Sequence, residues 1–455
     1  MDGISVRRLT LTGAIPASRL GQVSWALYEW ARNPYYILVT IYIFSPYFSR
    51  VVVGDPVRGQ VIWGYLTAGA GLFLAVTGPV LGAIADAGGA RKPWLFACTA
   101  LAIPAMASLW FARPGMGEHI LPVAASLVIA GVLFEYSVII HNAMLPSIAS
   151  RRRIGALSGL SLALGNLSGV VLFLFVLFAW EWTDHPAFGL DRAAYEPERA
   201  IGLVSGLWFG IFALPLFLFT PDNPSTGTRL LPAIREGLGS LFATIRQLRR
   251  FRNIALFVVS RMIYSDGILI TLSFTGIYAA GIFGWGSSEL VLYGIVLSVV
   301  AGIGSMVGGL VDDFLGSRAT LLLALCLGIV TNLVTVSISS HGILFTAVSD
   351  AKIFAGLSLP ECVFYLNSGF GAFSIVFGLA SSRALMARLA PPSMVGEFFG
   401  LFAFSGNATS FLGPFSVATV TALFTSQRAG LAVTMVFLAL GAMLLYPVRE
   451  EQAVA

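Results

Sequence analysis

Apolar residues in this 455-residue chain fall in long unbroken runs, separated by short polar or charged turns. Runs of about 20 apolar residues predict helices that span a bilayer, whereas lipid-facing strands would alternate apolar and polar positions. The pattern segments into twelve spans, at roughly 23–48, 60–85, 93–112, 120–147, 154–181, 201–220, 253–283, 287–311, 318–340, 366–389, 396–424 and 428–448. Residues 222–252, opened by Pro221, Pro224 and Pro232, read as a central loop between six spans in 1–221 and six in 253–455. Its arginines (229, 235, 246, 249, 250 and 252) give it the character of a cytoplasmic amphipathic segment. The stretch 341–365 is interrupted by Asp350, Lys352 and Glu361 and reads as an outer loop with some local structure.

Two turns share a signature. The first runs Gly82-Ala-Ile-Ala-Asp86-Ala-Gly-Gly89-Ala-Arg91-Lys92, the second Gly308-Gly-Leu-Val-Asp312-Asp313-Phe-Leu-Gly316-Ser-Arg318. Each follows a long apolar run and places a Gly four residues before an Asp, then a Gly, then a basic residue. Recurrence after about 226 residues predicts two similar halves, a common design among transporters. Composition agrees: 57% of the residues are apolar and 11% charged. Soluble domains carry about 25% charge, so this chain lacks the polar material to cover a water-facing surface. No cleavable signal is expected, because Met1 to Arg19 is polar and lacks an apolar core of the right length. Cys98, Cys326 and Cys362 have no metal-ligand spacing, and an odd count argues against a disulfide framework.

Basic residues set the expected orientation. With the N-terminus, the signature turns, Arg151-Arg152-Arg153, the central loop, Arg388 and Arg449 in the cytoplasm, 17 of the 27 Lys and Arg lie inside. Seven lie outside, and Arg32, Arg261 and Arg383 fall within spans. That asymmetry fits the positive-inside rule and puts both termini in the cytoplasm. The net charge of +5 is then a topology signal, with no nucleic-acid partner implied.

Twelve helices in two halves, with this signature after spans two and eight, resemble the major facilitator superfamily. The expected fold is therefore an all-α membrane protein of two six-helix halves. In that superfamily such turns clamp the halves together on the inner side. The resemblance thus implies structural or gating roles for Asp86, Arg91, Asp312 and Arg318, with Glu397, at the start of span eleven, joining them.

A charge at mid-bilayer costs at least ~2.5 kcal/mol and needs an explanation. Span one carries Glu29, Arg32, Asn33, Tyr36 and Thr40 at i, i+3, i+4, i+7 and i+11, one face of a helix. That stripe must face the protein interior or a watery cavity. Glu29 and Arg32 can pair directly, so an ion pair that merely orients the helix is the structural alternative. Pro34 adds a possible kink. Span four carries Glu135, His141 and Asn142; Glu135 and Asn142 stack on one face about 10 Å apart. Glu135 is a candidate proton site and equally a candidate partner for Arg32 or Arg261. His141, near the cytoplasmic end, reads as a satisfied structural histidine, with a coupling residue as the alternative.

Span seven opens Ser260-Arg261-Met-Ile-Tyr264-Ser265-Asp266-Gly267. Arg261 and Asp266 sit about 140° apart on an ideal helix, poorly placed to neutralise one another. Each is expected to find a partner on another helix, either as a static clamp or as an ion pair that breaks and forms during gating. Arg383 in span ten is a further cation, to be satisfied by the substrate or by a carboxylate elsewhere.

Three segments narrow the resemblance: Trp25-Ala-Leu-Tyr28-Glu29-Trp30-Ala31, Arg261 through Gly267, and Glu397-Phe-Phe-Gly400 through Gly406-Asn407 to Gly413-Pro414. Together they look like the branch that holds the fungal vacuolar amino-acid effluxers and their bacterial relatives. That resemblance implies a proton-linked solute carrier. Arg32-Asn33-Pro34, His141 and Asn407 depart from its pattern and rearrange the expected charge of the cavity.

The residue inventory argues against direct ATP use. A phosphate-binding loop needs a Gly-Lys-Ser/Thr ending, and neither Lys92 nor Lys352 has it. No His-Glu-x-x-His occurs, and no enzyme, cofactor or metal site is expected. Ser158 and Ser161 lie in a Gly/Ser-rich helix, where small residues favour close packing. The expected function is a monomeric secondary transporter in a bacterial inner membrane. It would move a small zwitterion, such as an amino acid, by alternating access around a central cavity. Its carboxylate would meet Arg32 or Arg261 and its amine Glu29 or Asp266. Asn33, Asn142 and Asn166 add hydrogen bonds, with Tyr36, Tyr264, Arg383 and Asn407 beside them. Protons would bind at Glu29, Glu135 or Asp266. Export or flipping of an amphipathic lipid-like or drug-like molecule is the nearest alternative, for which the 34 Phe, 13 Tyr and 9 Trp permit a greasy cavity. A non-transporting receptor or assembly factor is another. A channel is disfavoured by the lack of a filter-like repeat.

Overall fold

A computed structural model describes residues 10, 15–150, 153–224, 232, 239, 246, 251–349, 351–354, 356–390 and 395–449. The helices are α1 (Arg19–Val52), α2 (Pro56–Gly88), α3 (Lys92–Ala107), α4 (Leu121–Ile148), α5 (Ile154–Val176) and α6 (Glu196–Phe219). Then follow α7 (Arg252–Phe283), α8 (Ser287–Leu315), α9 (Ser317–Ser337), α10 (Leu359–Leu389), α11 (Val395–Asn407), α12 (Leu412–Phe424) and α13 (Gln427–Leu445). Among the described residues, eleven segments are long and apolar enough to cross a membrane. Large apolar side chains such as Leu101, Ile129, Leu207, Ile211, Leu218 and Leu323 are exposed on them, as a surface solvated by lipid requires.

Two compact units emerge. One comprises 1–44 and 76–241, the other 45–75 and 242–455. In the first, α1 packs against α5 and α6, and α3 against α4 and α6. Gly202 makes the α3–α6 approach possible, since a Cβ there would collide with the Met106 carbonyl. Trp25, Tyr28, Phe173 and Phe209 are fully buried in this unit. In the second, Phe257, Tyr264, Leu385, Phe402, Leu438 and Leu445 belong to one apolar core. Residues 45–75 join that unit through polar contacts. The Gln60 amide donates to Thr421 Oγ1 (2.8 Å) and to the Gln427 carbonyl (3.1 Å), and Arg50 donates to the Gly284 and Trp285 carbonyls.

α1 is irregular for a local reason. Pro34 has no N–H, so the Trp30 carbonyl loses its helical donor. The Trp208 indole N–H supplies one at 3.0 Å, and the helix continues past Pro34 with wider, π-type turns over Tyr35–Tyr42.

The predicted eleventh span, 396–424, is not continuous. It forms α11 and α12, 13 residues each, parted by a turn at 408–411. Ser410 Oγ donates to the Asn407 carbonyl and Leu412 N to the Thr409 carbonyl, so local bonds displace the helical ladder. Pro414 then sits in the first turn of α12, where its missing N–H costs least.

The predicted outer stretch 341–365 does hold local structure: hairpins β1–β2 (Gly342–Ile343, Thr346–Ala347) and β3–β4 (Lys352–Phe354, Leu357–Ser358). α10 begins at Leu359 instead of 366, because Ser358 and Glu361 form a capping box. Glu361 accepts from Ser358 N (2.7 Å), Ser358 Oγ (2.8 Å), Trp285 Nε1 (2.8 Å) and Lys352 Nζ (3.0 Å). Of the charges that interrupt the apolar pattern there, Glu361 lies in the first turn of α10 and Lys352 on β3, while Asp350 lies outside the described residues.

Candidate functional site

In the first unit the site begins on α1. Glu29 and Arg32 form a buried ion pair at i, i+3, and the Arg32 guanidinium lies 5.1 Å from the Phe134 ring centroid. His141 of α4 is fully buried against α1. Its ring stacks on Trp25 at 4.3 Å and on Tyr28 at 4.9 Å. Two bonds cross-link the same residues: Trp25 Nε1 donates to the His141 carbonyl (3.1 Å), and His141 Nε2 lies 2.9 Å from the Trp25 carbonyl. His141 Nδ1 faces Glu29 Oε1 at 3.9 Å and has no hydrogen-bond partner among the described residues. The Tyr28 hydroxyl is bonded to Thr99 Oγ1 (2.6 Å).

The rest of the predicted stripe is half-buried. Asn33 borders Gly165 of α5, and Tyr36 stacks on Phe134 at 5.8 Å. Glu135 is half-buried within electrostatic reach of Arg32 and Glu29. Asn142 and Asn166 are exposed.

In the second unit, α7 carries the corresponding pair. Arg261 Nη1 donates to the Phe402 carbonyl (2.5 Å) and to Ser405 Oγ (2.8 Å), and the guanidinium lies 3.6 Å from the Phe402 centroid. These acceptors lie in the second half of α11, towards the C-terminal end that favours a cation. Asp266 is 2% exposed. It sits beside Thr409 and the Gly413 backbone, at the N-terminal end of α12 that favours an anion. Its Oδ2 has no hydrogen-bond partner among the described residues. Tyr264 is buried with its hydroxyl 2.6 Å from Ser382 Oγ. Arg383 is exposed on α10 within electrostatic reach of Arg261, and Asn407 is half-buried at the end of α11. A recess in this unit is lined by Thr271, Thr331, Asn332 and Ser374, with none of the predicted site residues among its walls.

At the signature turns, Asp312 is buried, accepts from Ser317 Oγ (2.9 Å) and pairs with Arg388 at 3.1 Å. Arg318 donates to the Tyr446 carbonyl and lies over its ring. The backbone N–H groups of Arg91 and Lys92 both donate to the Asp222 carboxylate at 2.9 Å, which caps α3. The side chains of Asp86 and Glu397 lie outside the described residues. Sequence reading did not single out Asp222, Ser317, Arg388, Ser405 or Thr409 as partners. Ser317 lies in the second signature turn, and Ser405 and Thr409 in the motif around Asn407.

Membrane-length apolar helices, a duplicated charged turn and opposite charges in α1 and α7, all buried but the half-buried Arg261, define a transporter of the major facilitator class. The family model described as "Vacuole effluxer Atg22 like" matches residues 52–455, and the chain belongs to that family. The MFS-type transporter YxiO of Bacillus subtilis is 24% identical over 94% of each chain. Autophagy-related protein 22 of Cryptococcus neoformans is 27% identical over 62% of this chain and 48% of its own length. The chain spans about half the length of the fungal relatives it matches. Among solved structures, a D-xylose–proton symporter superposes with a TM-score of 0.66 over 95% of this chain and 99% of that one, at 12% identity. A bacterial homologue of the human lysosomal transporter Spinster superposes with a TM-score of 0.62, covering 98% of each chain at 15% identity. At such identities they speak for the fold alone.

Proposed function

We propose that the protein is a proton-coupled secondary transporter of a small zwitterionic solute, such as an amino acid, working by alternating access. One observation carries this reading. The first helix of each predicted half holds a buried carboxylate and an arginine, Glu29 with Arg32 and Asp266 with Arg261. A zwitterion brings the complementary charges. Its carboxylate meets Arg32, or Arg261 with Arg383 nearby, and its amine meets Glu29 or Asp266. Asn33, Asn142 and Asn166 add hydrogen bonds, with Tyr36, Tyr264 and Asn407 bordering the path. The proton binds at Glu29, Glu135 or Asp266; the orphan Oδ2 of Asp266 makes it the first candidate. Asp86, Arg91, Asp312, Arg318 and Glu397 gate the inner side.

The broader frame is a monomer with twelve spans in two halves, 1–221 and 253–455, joined by the cytoplasmic segment 222–252, with both termini inside. A bacterial inner membrane is the proposed location, supported by the full-length match to the Bacillus chain. The test is solute-induced current and radiolabelled uptake in proteoliposomes with an imposed pH gradient, across amino acids, small peptides and zwitterionic lysolipids. A saturable amino-acid flux that falls at least tenfold in folded Glu29→Gln and Asp266→Asn supports the reading. A response to lysolipids alone favours the lipid exporter, and no substrate-dependent flux by either readout favours the receptor.

A further inference from the structure

His141 has every feature of a clamped structural residue except one. Its ring is sandwiched by Trp25 and Tyr28 and its Nε2 lies 2.9 Å from the Trp25 carbonyl. A carbonyl can only accept, so Nε2 carries the hydrogen in this arrangement, and the neutral ring is left with a bare lone pair on Nδ1. That lone pair is buried, unpartnered among the described residues and 3.9 Å from Glu29 Oε1. Two acceptors face each other, and a single proton would satisfy both.

We propose that His141 and Glu29 form a proton-binding pair in the first unit, with Arg32 as the cation that displaces the proton. Arg32 and His141 Nδ1 contend for the same atom, Glu29 Oε1. With Arg32 on that oxygen, Glu29 needs no proton. When a solute carboxylate draws the guanidinium away, a buried anion is left, and a proton on Nδ1 replaces the lost positive charge. The buried charge stays constant through the exchange, and solute binding becomes linked to proton uptake.

The surroundings allow this exchange. α1 presents Tyr28, Glu29 and Arg32 to the imidazole, and α3 brings Cys98 near Tyr28. α4 itself carries Glu135, a second acceptor within electrostatic reach of Arg32. α5 offers Gly165 beside Glu29 and has no titratable residue between Ile154 and Val176. α6 offers the Phe209 and Phe217 rings to Tyr28. The Arg32 Nε is buried without a hydrogen-bond partner among the described residues, so the guanidinium is under-satisfied where it stands.

The solute's part rests on the transport reading above; the proton pair is testable without it. Nitrogen-15 NMR on histidine-labelled protein in nanodiscs sees four histidines, and the signal absent from His141→Gln belongs to His141. The expected wild-type signal at neutral pH is a neutral ring protonated on Nε2. Arg32→Gln converts it to imidazolium, and Arg32→Gln with Glu29→Gln returns it to neutral; Arg32→Met serves if Arg32→Gln does not fold. A wild-type ring protonated on Nδ1, or a ring that stays neutral in the Arg32 variants, overturns the pair. In proteoliposomes, wild-type solute counterflow is expected to depend on pH, and His141→Gln to lose that dependence together with at least tenfold of gradient-driven accumulation. Equal gradient-driven accumulation in His141→Gln and wild type would overturn the coupling role. Wild type without any flux would refute transport, while the NMR spectra would still decide for or against the pair.

Discussion

Arg261 and Asp266, five residues apart on α7, bond to opposite sides of one break in a neighbouring element. Arg261 bonds the Phe402 carbonyl and Ser405 Oγ in the second half of α11, and Asp266 stands at the first turn of α12. Each charge meets the helix end of opposite polarity, so neither needs the other. Replacing Arg261 with Ala removes its bonds to the Phe402 carbonyl and Ser405 Oγ and is expected to lower stability by about 1–3 kcal/mol, read by thermal unfolding in detergent. Asp266→Asn keeps the shape and is expected to leave unfolding within about 1 kcal/mol, while pH-gradient-driven uptake is lost. A variant that unfolds as readily as Arg261→Ala would make Asp266 a structural cap.

The carbonyl of Trp30 depends on a donor from another helix. Trp208→Phe is expected to destabilise by about 1–3 kcal/mol, the cost of an unsatisfied buried acceptor. Pro34→Ala restores a backbone N–H to α1, so the double variant should recover part of that loss. Strict additivity in the double-mutant cycle would show that the indole bond contributes by packing alone.

At the second signature turn, Asp312 is the buried member of its pair and Arg388 the exposed one. Removing Arg388 leaves a buried carboxylate without its ion-pair partner, still accepting from Ser317, while Asp312→Asn removes the charge itself. Arg388→Gln should therefore cost more than Asp312→Asn, by about 1 kcal/mol after allowing for solvent at the arginine. The reverse order of unfolding midpoints would mean that the pair is not the reason Asp312 is buried.

Glu361 collects four donors at the start of α10. Glu361→Ala is expected to cost about 2 kcal/mol or more through the cap and the stranded Trp285 N–H. Lys352→Ala should cost under ~1 kcal/mol, because its side chain is 61% exposed. Comparable losses in the two variants would contradict the capping role.

Gly441 lets α13 lie against α7, since a Cβ there would fall 2.6 Å from Tyr264 Cβ. Gly441→Ala is expected to cost about 1–3 kcal/mol by overpacking, seen as an earlier unfolding transition. An unchanged transition would mean that the two helices part at no cost.

Much of this was legible in residue pattern. Unbroken apolar runs marked the membrane helices, and the spacing of Glu29 and Arg32 gave their pairing. The 140° between Arg261 and Asp266 foretold separate partners. The break at 408–411 was not legible, because Ala408 through Phe411 carry no glycine or proline to interrupt an apolar run, and the displacing bonds come from Ser410 and Thr409. The start of α10 was missed because Lys352 and Glu361 read as loop charges until Ser358 is recognised as a cap. His141 read as a satisfied histidine, yet only Nε2 is satisfied; sequence spacing cannot say which ring nitrogen finds a partner on another helix. Asp222 at α3 and Arg388 at Asp312 are long-range pairings that single-sequence periodicity does not encode.

The most direct test is proton uptake on addition of a solute to proteoliposomes, followed with an internal pH dye, for wild type and Asp266→Asn. A saturable, amino-acid-dependent internal acidification that disappears in folded Asp266→Asn is the expected result. Radiolabelled amino acid accumulating equally in both proteins, with no pH change in either, would contradict proton-coupled transport through this residue.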